Sequence, residues 1–202
     1  MNFSQGDVKS KLLNKSRQFI FFFSILAYCL LFHPSRSSGT EIVGPEIKIV
    51  NNELLVTTGI LLDEKQIQDL KNGIVKEITL YIDLFRIWDM WPDEFVLGKT
   101  FIKTLRADPV KKEFVATSLH GMTVVEKRFN ELDSLLKWSL NISNLKLTNT
   151  KELDPDDYFV RITAESRLRR LPPVIGYLFF FVPEKEFKII KDSSNFRIGH
   201  TK

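Results

Sequence analysis

The pattern that most constrains the fold is an alternation of apolar and polar side chains over residues 74–87. A period of two over such a run is typical of a β-strand that is buried on one face and partly solvated on the other. The apolar face of this strand is predicted to consist of Ile78, Leu80, Ile82 and Leu84. The chain must supply further strands to pair with it and a second layer to cover its apolar face.

Turn residues divide the rest of the chain into short β-rich runs. Asn51–Glu53, Pro92, Asp108–Pro109 and Gly121 each separate two such runs, which indicates hairpins. Beyond residues 74–87, strands are predicted over residues 46–50, 54–58, 95–106, 113–119, 123–127, 142–147 and 158–168.

Two segments have a helical pattern instead. Asp63 is an N-cap for residues 64–72, and Gly73 follows as a stop signal. Residues 130–140 carry a leucine stripe with helical spacing, which is typical of a helix with one buried face. The stripe is Leu132, Leu135, Leu136 and Leu140.

Hairpins therefore dominate, and no βαβ nucleotide-binding fingerprint occurs. The predicted fold class is α+β: an antiparallel β-rich domain of about seven to nine strands with two amphipathic helices. Residues 46–85 and 113–148 share the order hairpin, helix, strand, which fits either two ββαβ-like halves or a chance recurrence of common elements.

The N-terminal segment indicates export. Residues 19–32 are apolar except for Ser24, follow a cationic stretch and lead into a polar tether. As a helix these 14 residues would span about 21 Å, less than the roughly 30 Å of a bilayer core. Residues 1–39 are predicted to be a signal peptide, or an uncleaved membrane anchor, plus tether. Residues 40–202 are predicted to form one extracytoplasmic domain, periplasmic or membrane-anchored.

The charge distribution gives no indication of nucleic-acid binding. The chain has 29 Lys and Arg against 25 Asp and Glu, and its sequence pI is about 9.1. The first 39 residues hold five of the cations and one of the anions, so the remainder carries 24 of each. The basic pI therefore belongs to the leader.

The residues that usually carry catalysis or bind metals are sparse. The only cysteine, Cys29, lies in the leader, which excludes disulfides, thiolate zinc sites and cysteine catalysis in the body. His120 is the only histidine away from the tether and the tail. No catalytic residue, metal ligand or cofactor site is assigned from the sequence.

The acidic residues leave one enzymatic alternative open. Asp89, Asp93 and Glu94 flank Trp88 and Trp91, and carboxylates beside aromatic platforms are used by carbohydrate-active enzymes. The same residues are also ordinary at the end of a hairpin. The hypothesis of a cell-wall carbohydrate-active enzyme therefore needs two of these carboxylates at the separation that glycoside hydrolysis requires.

Two apolar groups are candidate contacts for a protein partner or a lipid surface. The first lies at a predicted hairpin end, where little core is expected, and the second lies within the apolar residues 174–182. The candidates are Trp88, Met90, Trp91 and Phe95 in the first group, and Tyr177, Phe179, Phe180 and Phe181 in the second. Each group could instead pack into the core.

Three stretches resemble a bacterial envelope family known as domain of unknown function 4390. They are residues 52–60, the helix end at Asn72–Gly73 before the strand 74–86, and residues 158–168 leading into Leu171–Pro173. The resemblance implies no catalytic residues. It also suggests an extracytoplasmic accessory of a sensor histidine kinase, because members are sometimes encoded near such kinases. The function expected from the sequence is a non-enzymatic binding or accessory module.

Overall fold

This computed structural model describes residues 39–168 and 185–199, in which ten strands, two α-helices and one short 3-10 helix follow one another. Their bounds are β1 Glu41–Val50, β2 Glu53–Leu61, α1 Glu64–Lys71, β3 Lys76–Arg86, β4 Glu94–Asp108, β5 Glu113–His120, β6 Thr123–Phe129, α2 Leu132–Leu140, β7 Asn141–Asn149, the 3-10 helix Thr150–Glu152, β8 Asp157–Leu168, β9 Lys185–Asp192 and β10 Phe196–Arg197.

The local signals in the sequence act as predicted. Asn51 and Asn52 adopt positive φ angles of 51° and 62° between β1 and β2, a conformation that Asn tolerates in tight hairpins. The Asp63 carboxylate accepts a hydrogen bond from the backbone N–H of Gln66 and caps α1. Gly73 follows α1 at φ 85°, where a side chain would be strained.

The strands form two antiparallel sheets, which confirms the predicted α+β class. The small sheet has the order β1-β2-β7, and the large sheet has the order β10-β8-β3-β4-β5-β6, with β9 also paired to β8. The strand count exceeds the expected seven to nine because of β9 and β10, for which no pattern was recognised. These two share one edge of β8: Asp157 and Tyr158 pair with β10, and residues 161–167 pair with β9.

The two ββαβ-like segments occur in the predicted order, as β1-β2-α1-β3 and β5-β6-α2-β7. In each segment, however, the hairpin and the final strand belong to different sheets. Strand β7 pairs with β2 of the other segment, and β3 pairs with β4 and β8. Neither segment is therefore a self-contained sheet.

The core lies on the predicted apolar face of β3, where Ile78, Leu80, Ile82 and Leu84 are at most 1% exposed. One cluster joins these residues to side chains of the small sheet and of both helices, including Leu54, Val56, Leu70 and Leu135. Three charged residues of the described ranges are buried as well: Lys76 is 0%, Glu165 6% and Lys103 7% exposed. The side chains of Tyr177, Phe179, Phe180 and Phe181 lie outside the described residues.

Candidate functional site

The hairpin of β3 and β4 extends beyond the neighbouring strand β5. Strand β5 pairs with β4 only as far as Ile102, whereas the β3–β4 ladder continues to the pair of Arg86 and Glu94. Residues 94–101 of β4 therefore extend beyond β5, and these eight residues correspond to about 27 Å of extended chain. Residues 87–93 then connect the two strands without helix or strand structure.

Four large apolar side chains at this end face solvent, and together they are here named the aromatic tip. Trp88 is 46% exposed, Met90 91%, Trp91 73% and Phe95 57%. The structure thus brings together the first group of sequence candidates and places it at the surface. Such a concentration of exposed Trp and Met is typical of a recognition surface, because isolated apolar residues, not clusters, are the rule on monomer surfaces.

Arg86 fixes the base of the aromatic tip. Its Nε donates to Glu94 Oε2 at 2.8 Å, and its NH1 group donates to Asp154 Oδ2 at 2.7 Å. The Trp88 indole N–H also donates to Glu94, at 3.3 Å, and the guanidinium lies 5.4 Å from the centre of the Trp88 ring. The hydrogen bond with Glu94 is the main cause of the raised pKa of Arg86. Trp88 is therefore held in place while Met90 and Trp91 project.

A stacked aromatic platform lies beside the tip. The rings of Phe85 and Phe159 stack at 5.3 Å, and Phe95 meets Phe85 edge-on at 5.9 Å. Arg161 lies 5.1 Å from the Phe85 ring and 5.2 Å from the Phe159 ring, while its Nε and NH2 groups donate to Asp192 at 2.8 Å each. This bidentate pair fixes the guanidinium plane over the platform.

A shallow cleft of about 220 Å³ opens next to this platform. Its lining residues are Ile87, Asp93, Phe159, Arg161, Asp192 and Asn195. Hydrogen bonding to Asp192 chiefly raises the pKa of Arg161, and the negative charges of Asp192, Asp93 and Asp83 act in the same direction. Burial raises the pKa of Asp83, and the positive charge of Arg161 cancels part of this increase.

Gly98 allows the Asp83 carboxyl to pack against the backbone of β4. The two residues are paired across the β3–β4 ladder, and a Cβ at position 98 would lie 2.1 Å from Asp83 Oδ1 and 3.3 Å from the Phe95 ring. A side chain at this position would therefore displace the Asp83 carboxyl from its present place.

Acidic groups surround the aromatic tip and the cleft. In the described part of the chain, the carboxylates on the connecting segments and strand ends here are Asp89, Asp93, Glu94, Asp154, Asp156, Asp157 and Asp192, and the cations are Arg86, Arg161 and Arg197. Seven carboxylates and three guanidinium groups give a formal charge of −4. These groups are here named the acidic rim.

The three carboxylates of the enzymatic hypothesis are in different surroundings. Asp93 lines the cleft, Glu94 is paired with Arg86, and Asp89 is exposed without lining the cleft. No group of three or more His, Cys, Asp or Glu within residues 39–168 and 185–199 is arranged to hold a metal ion. His120 stacks on Phe101 at 4.3 Å, and its Nδ1 is 3.0 Å from the Thr100 carbonyl oxygen, so Nδ1 carries the proton.

Several residues of this site were missed in the sequence. Phe85, Phe159 and Arg161 lie in stretches that carry the family resemblance, but no sequence pattern marks them, or Asp192 and Asn195, as site residues. Phe85 and Phe159 come together through the register of β3 and β8, in which they are directly paired. The recognisable signal was the alternation of β3, which places Phe85 on the face opposite the core.

The fold and this surface define an antiparallel α+β domain with an exposed apolar cluster, the aromatic tip, at one end. Neither α-helix in the described ranges is long and apolar enough to cross a bilayer. The family of domain of unknown function 4390 matches residues 37–194, which is most of the chain. The chain belongs to this family. No curated protein and no solved structure has significant similarity to it.

Proposed function

We propose that the chain is a non-enzymatic binding module of the cell envelope that holds a protein partner at the aromatic tip. The observation that carries this proposal is the exposure of Met90 and Trp91, 91% and 73%, at the end of a long hairpin whose base is fixed by Arg86. A fixed base reduces the conformational entropy that binding must overcome. Tryptophan at the centre of a contact is a frequent source of binding energy.

The charge around the tip favours a protein over a lipid surface. Envelope membranes expose anionic head groups, and a rim with a formal charge of −4 would be repelled by them. A protein segment that combines apolar side chains with Lys or Arg would satisfy the tip and the rim together. The cleft beside Asp93 and Asp192 offers space for such a cationic side chain.

Location in the envelope is supported by the sequence of residues 19–32, which has the layout of an export signal. The intact mass of the protein from membrane and periplasmic fractions of its host tests this part. A mass that begins near residue 39 in the soluble fraction would indicate a free exported domain. Full-length protein in the membrane fraction would indicate a tethered module, and cytoplasmic full-length protein would contradict export.

Photocrosslinking in cells of the native host tests the partner surface. A photoreactive amino acid replaces Met90 in the full chain, and the control carries it at Val110, which is 92% exposed on another hairpin. We expect a discrete protein adduct from position 90 that is absent from position 110 and is lost when Trp91→Ala is added. Lipid adducts alone, or equal adducts from both positions, would contradict the proposal.

One observation favours a second candidate, the cell-wall carbohydrate-active enzyme. Asp93 and Asp192 line one cleft together with the Phe159 ring, a combination that could hold a sugar. Hydrolysis of cell-wall fragments by the full chain tests this alternative. Activity that disappears in Asp93→Asn but persists in Asp89→Asn would support it, whereas the binding module predicts no turnover in any variant.

A further inference from the structure

Strand β6 is an exposed edge of the large sheet. It pairs with β5 without a register shift from Thr123 to Phe129. Its first six residues are exposed, including Val124 at 62% and Val125 at 42%. Within residues 39–168 and 185–199, no strand pairs with its other side. A regular exposed edge of this length can pair with another strand.

The other edges of the two sheets are interrupted. Strand β1 has a register shift between Val43 and Glu46, beside Pro45, and the Lys191 ammonium donates to its Ile42 carbonyl. Strand β7 has two register shifts against β2, and the Lys99 ammonium donates a hydrogen bond to the Lys146 carbonyl of this strand at 2.6 Å. Strand β9 has a register shift in its pairing with β8, between Ser166 and Arg167. These features block strand addition, and β6 has none of them.

The turn before β6 determines which of its backbone groups face outward. Gly121, at φ 58°, and Met122 form a two-residue turn closed by the pair His120 and Thr123. The closing pair of such a hairpin exchanges both backbone hydrogen bonds, and the bonding direction then alternates along the strand. The N–H and C=O groups of Val124, Glu126 and Arg128 therefore point away from β5.

We infer that β6 pairs antiparallel with β6 of a second copy of this chain, across a twofold axis at Lys127. In this register Glu126 lies opposite Arg128 of the second copy, and the symmetry produces this ion pair twice. It adds to the bonds that Arg128 makes within its own chain, to Glu113 at 2.6 Å and to Glu126 at 3.4 Å. Val125 lies opposite Phe129 on the other face. Both members of each charged pair have outward-facing backbone groups, so the register also forms backbone hydrogen bonds.

The balance of charges selects this register among three neighbouring ones, because it gains two opposite-charge pairs against one like-charge pair, that of Lys127 on the axis. A twofold axis at Glu126 would place two carboxylates directly opposite each other, and an axis at Val125 would leave Glu126 opposite Val124. The selected register brings the two Lys127 residues together on the axis. The Lys127 ammonium lies 5.2 Å from the centre of its own Trp138 ring, an interaction that offsets part of their repulsion.

Disulfide trapping tests the register directly. In a full-length Cys29→Ser background, Lys127→Cys would place two cysteines on the axis, at a Cα separation of about 4.5 Å, which permits a disulfide. The control Val125→Cys would place its cysteines about 14 Å apart. Mild oxidation is expected to crosslink the first variant and not the second. No crosslink at position 127, or an equal or greater yield at position 125, would overturn the inference.

Sedimentation of the full chain with its native cysteine tests the contact without an engineered bond. Glu126→Pro removes an outward-facing N–H and leaves the bonds to β5 intact, so we expect self-association to weaken by about tenfold or more. The exchange Glu126→Arg with Arg128→Glu reverses both charges and should retain the dimer. A wild-type monomer at all concentrations, or a dimer unaffected by Glu126→Pro, would overturn the inference. The proposed function is tested separately from this contact. Met90→Ala and Trp91→Ala alter the aromatic tip and leave β6 unchanged, so they should not affect self-association.

Discussion

Strand β3 carries a cation at each end, and the two cations have opposite surroundings. Lys76, at the start of the strand, has a side chain only 1% exposed; it bonds to Asp69 at 2.8 Å and to Glu186. Arg86, at the other end, is 19% exposed and bonds to Glu94 and Asp154, whose side chains are 47% and 77% exposed. Each cation has two carboxylate partners, but only those of Lys76 are largely shielded from water.

The difference separates an end of the strand that stabilises the fold from an end that presents a surface. Lys76 connects β3 to Asp69 of α1 and to Glu186 of β9, and Ser166 of β8 donates to the same Glu186 carboxylate at 3.0 Å. The Arg86 cluster connects only groups that water also reaches, and it holds Trp88 beside side chains that remain exposed. A similar set of charges thus serves stability at one end and presentation of the tip at the other.

The largest effect is expected from Lys76→Met. The substitution leaves the Glu186 side chain, 7% exposed, without its counter-charge. We expect the free energy of unfolding, measured with urea at pH 7, to fall by about 3 kcal/mol. Arg86→Met serves as the comparison and should cost far less, because its partners are solvated. Equal losses from the two variants would remove the distinction between the ends.

The pH dependence of the Lys76 cluster sharpens this comparison. The hydrogen bond from Lys76 lowers the pKa of Asp69 from its ordinary value of 3.8. Its stabilising contribution is therefore present above pH 3.8 and is lost as the pH falls through the lower folded-state pKa. The stability gap between Lys76→Met and the wild type should narrow in acid, and a gap that widens would contradict this account.

Gly98→Ala tests how tightly the base of the exposed end is packed. The added Cβ would meet Asp83 Oδ1 at 2.1 Å, so the carboxyl or the strand must shift. We expect a loss of about 1 to 2 kcal/mol in the free energy of unfolding. Gly199→Ala is the matched control, because no atom lies within 4 Å of a Cβ built there. A loss from Gly98→Ala no larger than the control's would show that the platform adapts easily.

Asp83→Asn should have a small effect of the opposite sign. Burial raises the pKa of Asp83 above its ordinary value of 3.8, so the charged form destabilises the fold at neutral pH. Solvent screening limits the expected gain in stability to less than about 1 kcal/mol at pH 7. The gain should vanish below pH 3.8, where the acid is neutral in both folded and unfolded states. A loss at pH 7 would mean that attraction to Arg161 outweighs burial.

Local features of the fold were predictable because each depends on neighbouring residues. The Asn51–Asn52 turn, the Asp63 cap and the buried face of β3 all follow from short-range geometry, and the structure confirms them. The division of the strands between two sheets was not predictable in this way. It depends on the pairing of β2 with β7, whose partners, such as Glu53 and Asn149, are far apart in the sequence.

The candidate site was predictable only in part. The aromatic tip lies in one short segment, so its composition was visible, although its exposure was not. The cleft combines Asp93 with Arg161 and Asp192, which come from three distant parts of the chain.

The burial of Lys103 was not predictable either, because its contacts come from residues that are distant in the sequence. Its ammonium donates to Ser118 and lies 5.1 Å from the centre of the Trp138 ring. Burial lowers the pKa of Lys103.

The central claim is that the aromatic tip serves recognition and contributes little to folding. The most direct test measures, in one Trp91→Ala variant, both the urea unfolding curve and the crosslinking yield from position 90. The account predicts a free energy of unfolding within about 0.5 kcal/mol of the wild type, together with loss of the protein adduct. A loss of several kcal/mol would make Trp91 a core residue, and an unchanged adduct would show that the tip does not bind the partner.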